Sequence, residues 1–254
     1  MNKLEKLTFS LLALFTLAQL AACTKVYDKF FGDNKPSKKC RIESFTQNNI
    51  PVGPGSRTAQ FYYNRHGDID SIIADVETGS LGAHLFYFSY DRNHRLISYR
   101  EKTGPSWPYE ETHKYAYESG RIVRDSVRVS PDGIGTEVKT LEYDNWGRII
   151  KENLKWLYDN GTVFDDIEPR IFTYNSDGNL VFGSVTYDNQ RNFLSTSDQL
   201  MFTQRDYSKN NRAGATSYND SELPLGFTEG IGAVYGPSSL LSFGLPAEIN
   251  YDCK

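Results

Sequence analysis

Histidine is scarce in this chain. His66, His84, His94 and His113 are the only four, and no two stand in a metal-ligand spacing. There is no His-Glu-x-x-His, no His-x-His and no close cysteine pair, so zinc catalysis lacks its ligands and no metal site is expected. No Gly-x-Ser-x-Gly elbow is present. Gly230-Ile231-Gly232 is too little for a phosphate loop, so no cofactor is expected either. Basic residues do not exceed acidic ones: 28 Lys and Arg stand against 32 Asp and Glu, a net charge of −4. A chain without a basic excess is a poor partner for nucleic acid.

Long apolar runs are also lacking, except at the start. Lys3 and Lys6 precede an apolar stretch, Leu7 to Leu20, that is too short to span a bilayer comfortably. Leu20-Ala21-Ala22-Cys23 follows and resembles the lipobox of bacterial lipoproteins. That resemblance implies that residues 1–22 are a signal peptide and that Cys23 is lipidated. The chain would then be an outer-membrane lipoprotein, facing either the periplasm or the cell surface, with the membrane as a partner through its anchor. Buried acyl chains contribute about 0.8 kcal/mol per CH₂, so a multiply acylated Cys23 would hold the protein at a membrane. Residues 23–39 are polar and lysine-rich and read as a tether. The compartment is oxidising, and Cys40 and Cys253 are the remaining thiols, so they are expected to form a disulfide.

What is abundant is aromatic: 14% of the residues, mostly Tyr and Phe, with frequent Gly, Asn and Asp. This favours strands over helices. From Cys40 to Tyr207 the pattern has period two, as in Phe86, Phe88 and Tyr90 against Tyr87 and Ser89. A motif recurs six times within it, beginning at Tyr63, Tyr90, Tyr117, Tyr143, Tyr174 and Tyr187. The clearest copy is Tyr143-Asp144-Asn145-Trp146-Gly147-Arg148-Ile149. The Asp or Asn after the Tyr suits the first position of a type I turn, where its side chain accepts a backbone N–H. Gly67, Gly147 and Gly178 stand where a type I turn plus bulge needs a left-handed residue. Gly120 arrives one position early, which predicts a shorter loop. His94 and Arg191 replace the Gly in two copies, which predicts looser or strained turns. A step near 26 residues fits two strands and two turns. The expected fold is therefore all-β: an antiparallel β-meander of repeats over 40–254 forming a twisted, extended sheet. Residues 208–254, rich in Pro, Gly and Asn, are expected to cap its open end, with a short helix at Ser238 to Phe243 and a last strand at Leu245 to Tyr251.

The Tyr-Asp-x-x-Gly-Arg-Ile stretch resembles the YD repeats of RHS and teneurin-type proteins over roughly residues 60–208. The whole chain resembles small Gram-negative lipoproteins that carry degenerate YD-like repeats. The resemblance implies a structural β-sheet array with no catalytic residues to carry over.

Two other chemistries are weighed. Carboxylates are plentiful, and a glycosidase needs two across a cleft. Asp165, Asp166, Glu168, Glu110, Glu111, Asp68 and Asp70 are the candidates, and solvated turn residues are their simplest role. Trp107, Tyr109, Trp146, Trp156 and Tyr158 lie at or between turns, where aromatic faces stack on sugars or partner side chains. The expected function is a lipid-anchored structural or protein-interaction module of the cell envelope without catalysis. Glycan binding through these aromatics is the alternative, and a carboxylate glycosidase the third reading.

Overall fold

The computed structural model describes residues 40–47, 57–74, 84–103, 110–130, 133–228 and 247–253. Cys23, the tether, Trp107, Tyr109 and the segment expected to be helical at 238–243 lie outside the described residues.

The first nine strands are β1 (Cys40–Gln47), β2 (Arg57–Tyr63), β3 (Ile69–Ala74), β4 (His84–Tyr90), β5 (Leu96–Thr103), β6 (Glu110–Glu118), β7 (Arg121–Ser130), β8 (Gly135–Tyr143) and β9 (Ile149–Tyr158). Each pairs antiparallel with the next where a register is formed, as the period-two pattern predicts. Two-residue strands, β10 (Val163–Phe164) and β11 (Arg170–Ile171), both pair with β9. Then come β12 (Tyr187–Arg191), a 3₁₀ turn at Phe193–Thr196, α1 (Asp198–Gln204), β13 (Asn210–Arg212), β14 (Ala215–Tyr218), β15 (Pro224–Phe227) and β16 (Ala247–Cys253). The described residues form a large open antiparallel sheet of 14 strands, in the order β10, β9 and so on down to β1, then β16, β15 and β14, with β11 also paired to β9; β12 and β13 form a separate pair.

The last strand pairs with the first. Cys40 stands opposite Cys253 and is joined to it by a disulfide, so the expected staple is present. The residue range of β16 lies within two residues of the expected final strand.

Five turns share one geometry. The residue after the Tyr accepts, through one side-chain oxygen, the backbone N–H groups two and four positions on. Asn64 does so from His66 and Asp68. Asp91, Asp144 and Asn175 repeat it. Asn219 forms the fifth, with Ser221 and Leu223. A short Asx acceptor thus takes up N–H groups that a tight turn leaves without a strand partner. The left-handed position is filled by Gly67 (φ 89°), Gly147 (φ 81°) and Gly178 (φ 86°), as expected, and by His94 (φ 60°) and Glu222 (φ 63°). The early Gly120 gives a two-residue hairpin with Ser119 and Gly120 both at positive φ, a type I′ pattern.

The Tyr of one unit is bonded to the unit before it. The hydroxyls of Tyr63, Tyr90, Tyr117 and Tyr143 donate to the carbonyls of Ile42, Ile69, Leu96 and Ile122, each 21 residues upstream, at 2.6–2.8 Å. The accepting residue is the aliphatic that starts the return strand, and its side chain lies in the core. The cation before it lies over the same Tyr ring: Arg41 over Tyr63, Arg95 over Tyr117, Arg121 over Tyr143 and Arg148 over Tyr174. At Tyr63, Tyr117 and Tyr143 an Arg-aliphatic pair thus receives the Tyr of the next unit through both a cation–π contact and a backbone hydrogen bond, whereas Asp68 precedes the Ile69 that accepts from Tyr90, and Tyr174 has the Arg contact without the bond.

Two details differ from the sequence reading. The copy at Tyr187 forms no turn. It continues as β12, although its hydroxyl still donates to the Leu180 carbonyl at 2.6 Å. Tyr218 to Pro224 is a copy that sequence reading missed, because Glu222 stands at the Gly position. The Pro224 carbonyl accepts from Tyr251, so the ladder resumes there. The segment that follows the Tyr174 turn leaves the sheet. It lays Phe193, Leu194, Leu200, Met201 and Phe202 against the core formed by one sheet face, where Phe193 meets Phe45 and Phe227, and Phe202 meets Tyr115 edge-on.

Candidate functional site

Polar side chains are buried where that segment meets strands β6 to β9. Four strands each contribute to the covered face: His113 on β6, Asp125 on β7, Lys139 on β8 and Glu152 on β9, all buried. Their alternation places them there, since Asp125 stands opposite Tyr115 and Lys139, and Glu152 opposite the core residue Leu141. Arg205, at the end of α1, is fully buried above them. It donates to Asp125 at 3.0 Å, to Glu152 at 3.1 Å and to the Phe202 carbonyl at 2.6 Å. Arg205 is itself left-handed (φ 52°) and closes the helix: its N–H returns to Met201 and Phe202.

His113 Nδ1 faces both Asp125 oxygens, at 2.9 and 3.1 Å, and its Nε2 faces Glu111 at 2.8 Å. Carboxylates only accept, so both ring nitrogens donate and the ring is an imidazolium. Burial alone would lower its pKa. The Asp125 charge and hydrogen bond, and then Glu111, outweigh it and raise the pKa above the usual histidine value. Burial pushes Asp125 upward, and His113, Arg205 and Lys139 outweigh it, so its pKa falls. Burial likewise works against the charge on Arg205; Glu152 and Asp125 reverse that and raise its pKa. Arg170 at the rim donates to the other Glu152 oxygen at 3.1 Å, and Lys139 pairs with Glu137 at 3.2 Å. The His–Asp pair has the composition of an acid–base dyad. Here it is sealed: the ring is 0% exposed and tilted against Tyr99, and Asp125 is paired with Arg205. The arrangement clamps α1 to β7 and β9 through compensated charge, and Asp125 extends it to His113 on β6.

Among the sequence-named aromatics within the described residues, Trp146 is exposed, in the turn between β8 and β9, with the Arg148 guanidinium 4.6 Å from its ring centroid. Trp156 and Tyr158 are half-buried at the far end of β9. Seven residues of strand separate Ile149 from Trp156, about 23 Å, so Trp146 and Trp156 do not share a site. Near Trp156 and Tyr158 the exposed apolar residues are Ile134, Leu157, Val163 and Phe164; Leu157 stands opposite Val163 on one sheet face, and Phe164 opposite Trp156 on the other. The chain continues into Asp165, Asp166 and Glu168, all exposed. Of the remaining carboxylates, Glu111 is taken by His113, and Asp68 accepts from Asn64. Sequence reading missed His113, Asp125, Glu152 and Arg205 as a group. The available signal was a charged residue at inward-facing strand positions otherwise filled by Phe, Val, Leu or Tyr.

Comparison with protein families finds no matching family model, and comparison with curated proteins finds no match. Among solved structures, a porin-like protein from Bacteroides vulgatus aligns over 82% of this chain and 97% of its own, at 14% identity and a TM-score of 0.40. A TcdB2–TccC3–Cdc42 complex aligns over 63% of this chain and 8% of its own, at 13% identity and a TM-score of 0.20. Both likenesses are too distant to carry function to this chain.

Proposed function

We propose that this protein is a lipid-anchored scaffold and protein-interaction module of the cell envelope, held by Cys23 and without catalysis of its own. The observation that supports this reading is the ladder of Tyr hydroxyls. The polar groups that define the repeated motif are engaged within the array: Tyr with a carbonyl of the unit before it, Asp or Asn with N–H groups of its own turn, Arg with the face of the next Tyr. A motif engaged in this way builds a rigid sheet, and binding falls to the surface that the sheet presents. The exposed apolar pair Leu157 and Val163, with Ile134 beside it, is the contact surface in this reading, since clusters of exposed apolar side chains mark interaction sites.

The test is proximity crosslinking in intact cells from a probe at residue 134. One discrete crosslinked protein, lost in Val163→Asp and Leu157→Asp variants that keep their melting temperature, is the expected result. The same crosslinks from both variants would overturn the assignment. The exposed Trp146 supports a second reading, glycan binding. A glycan array on the full chain, with Trp146→Ala and Trp156→Ala as controls, separates the two readings, because only glycan binding loses array signal in the Trp variants.

A further inference from the structure

Two neighbouring turns carry chemistry that the scaffold does not use. His66 in the β2–β3 turn and His94 in the β4–β5 turn bring their rings together, with centroids 3.7 Å apart and planes tilted by 44°. Arg65 and Arg92 occupy the same motif position, two after the Tyr, and all four side chains are exposed. We propose that Arg65, His66, Arg92 and His94 form a surface anion site of the phosphate class, taking a phosphate monoester or diester group.

Backbone strain is the first support. Gly fills the equivalent position in three other turns, but His94 holds it at φ 60°. A side chain there costs free energy, at His94 as at Glu222 (φ 63°), and such strain is one pointer to a use for the side chain. What the substitution provides is a ring against His66.

Charge is the second support. The turn carboxylates are engaged: Asp91 accepts two backbone N–H groups and the Arg95 guanidinium, and Asp68 accepts from Asn64. Arg65 Nε donates to His66 Nε2 at 2.9 Å. Arginine has no acceptor, so His66 is neutral there and carries its proton on Nδ1. Desolvation, then His94, then Arg65 lower its pKa, against the opposing charge of Asp68. Four cation-capable side chains, Arg65, His66, Arg92 and His94, thus stand on two adjacent turns, with Asp68 the one carboxylate that acts on His66. Guanidinium forks and imidazole N–H groups are donors suited to phosphate oxygens. A divalent metal would meet Arg65 beside two imidazoles, and no group of three or more possible ligands exists among the described residues. The geometry favours the anion.

Binding would offset the repulsion that keeps His66 neutral, so it takes up a proton and tightens as pH falls from 7.5 to 6. The experiment follows the imidazole proton resonances of the full chain carrying Cys23→Ser, titrated with inorganic phosphate against chloride at matched ionic strength. Saturable shifts of the His66 and His94 signals with phosphate alone are expected. The affinity should fall about tenfold or more in Arg65→Gln and in Arg92→Gln, the scale of one lost hydrogen bond to a charged group. His94→Gly should lose binding while the melting temperature stays or rises, which separates loss of the site from loss of the fold. Co-sedimentation with phosphatidylglycerol vesicles, compared with phosphatidylcholine, assigns the source. Retention that depends on the four side chains points to a lipid headgroup, and phosphate saturation without retention points to a soluble phosphate compound. Shifts equal in chloride, saturable binding that survives all three variants, or zinc saturating the pair while phosphate does not would each overturn the proposal.

Discussion

The Tyr143 hydroxyl donates to the Ile122 carbonyl at 2.6 Å, and the Arg121 guanidinium lies 5.7 Å from the same ring's centroid. Two consecutive residues of one unit thus receive one side chain of the next. Burial holds the Tyr143 pKa up to about 12, so the donor proton stays in place across the physiological range. Tyr143→Phe should lower stability by about 1 kcal/mol, the usual net value of such a bond. Tyr174 has the same Arg stacking, but its buried hydroxyl reaches no carbonyl of the unit before it. Tyr174→Phe should therefore be neutral or stabilising in the same urea titration. Equal losses in the two variants would mean that ring packing, not the hydroxyl, sets the ladder.

Arg205 compensates two buried carboxylates. Arg205→Met leaves Asp125 and Glu152 without their shared cation, and removing one partner of a buried ion pair costs about 3–5 kcal/mol. Chemical denaturation should show this loss. A change below 1 kcal/mol, by the surface-pair standard, would mean that water reaches the cluster.

The imidazolium of His113 gives stability a pH dependence of definite sign. Its folded pKa is raised, so its contribution is complete below the unfolded value of about 6.5 and is lost as pH rises through the folded value. Asp125 acts in the other window: its folded pKa is lowered, so its contribution is present above about pH 4 and lost as the solution becomes more acid. Melting temperatures measured on the alkaline side, below the Tyr titration range, should fall in the wild type. His113→Gln should flatten that limb. An unchanged slope in the variant would assign the pH dependence elsewhere.

Gly147 tests the turns. A Cβ there meets nothing closer than an Arg121 nitrogen at 4.0 Å, so its cost is one of backbone conformation at φ 81°. Gly147→Val should cost on the order of 1 kcal/mol. An unshifted melt would contradict the left-handed conformation.

The disulfide is tested by mass. The unreduced chain should resist alkylation at Cys40 and Cys253, and the Cys40→Ser, Cys253→Ser double variant should be less stable by about 2–5 kcal/mol. Two alkylated thiols without reductant would show that the strands are not joined.

The repeated strands and turns were legible because their cause is local. A Tyr, an Asx acceptor and a Gly within five residues suffice to fix a hairpin. Even His94 was readable as a strained replacement. The Tyr218 copy escaped because its left-handed residue is Glu222, which carries no Gly signal. Helix α1 escaped because seven residues, Asp198 to Gln204, give too little periodicity to separate a short helix from a strand. The charge cluster was illegible for a different reason: Arg205 stands 53 residues from Glu152 and 80 from Asp125. Each of these charges is costly alone, and only the fold brings its compensation.

The pairing of β1 with β16 also orders events in time. A chain that emerges N-terminus first, from a ribosome or a translocation channel, presents one edge of β1 long before Ala247 to Cys253 are free to cover it. The sheet interior is therefore closed by a strand whose cysteine lies 213 residues after Cys40. Until that strand arrives, β1 is a bare template for any stray strand.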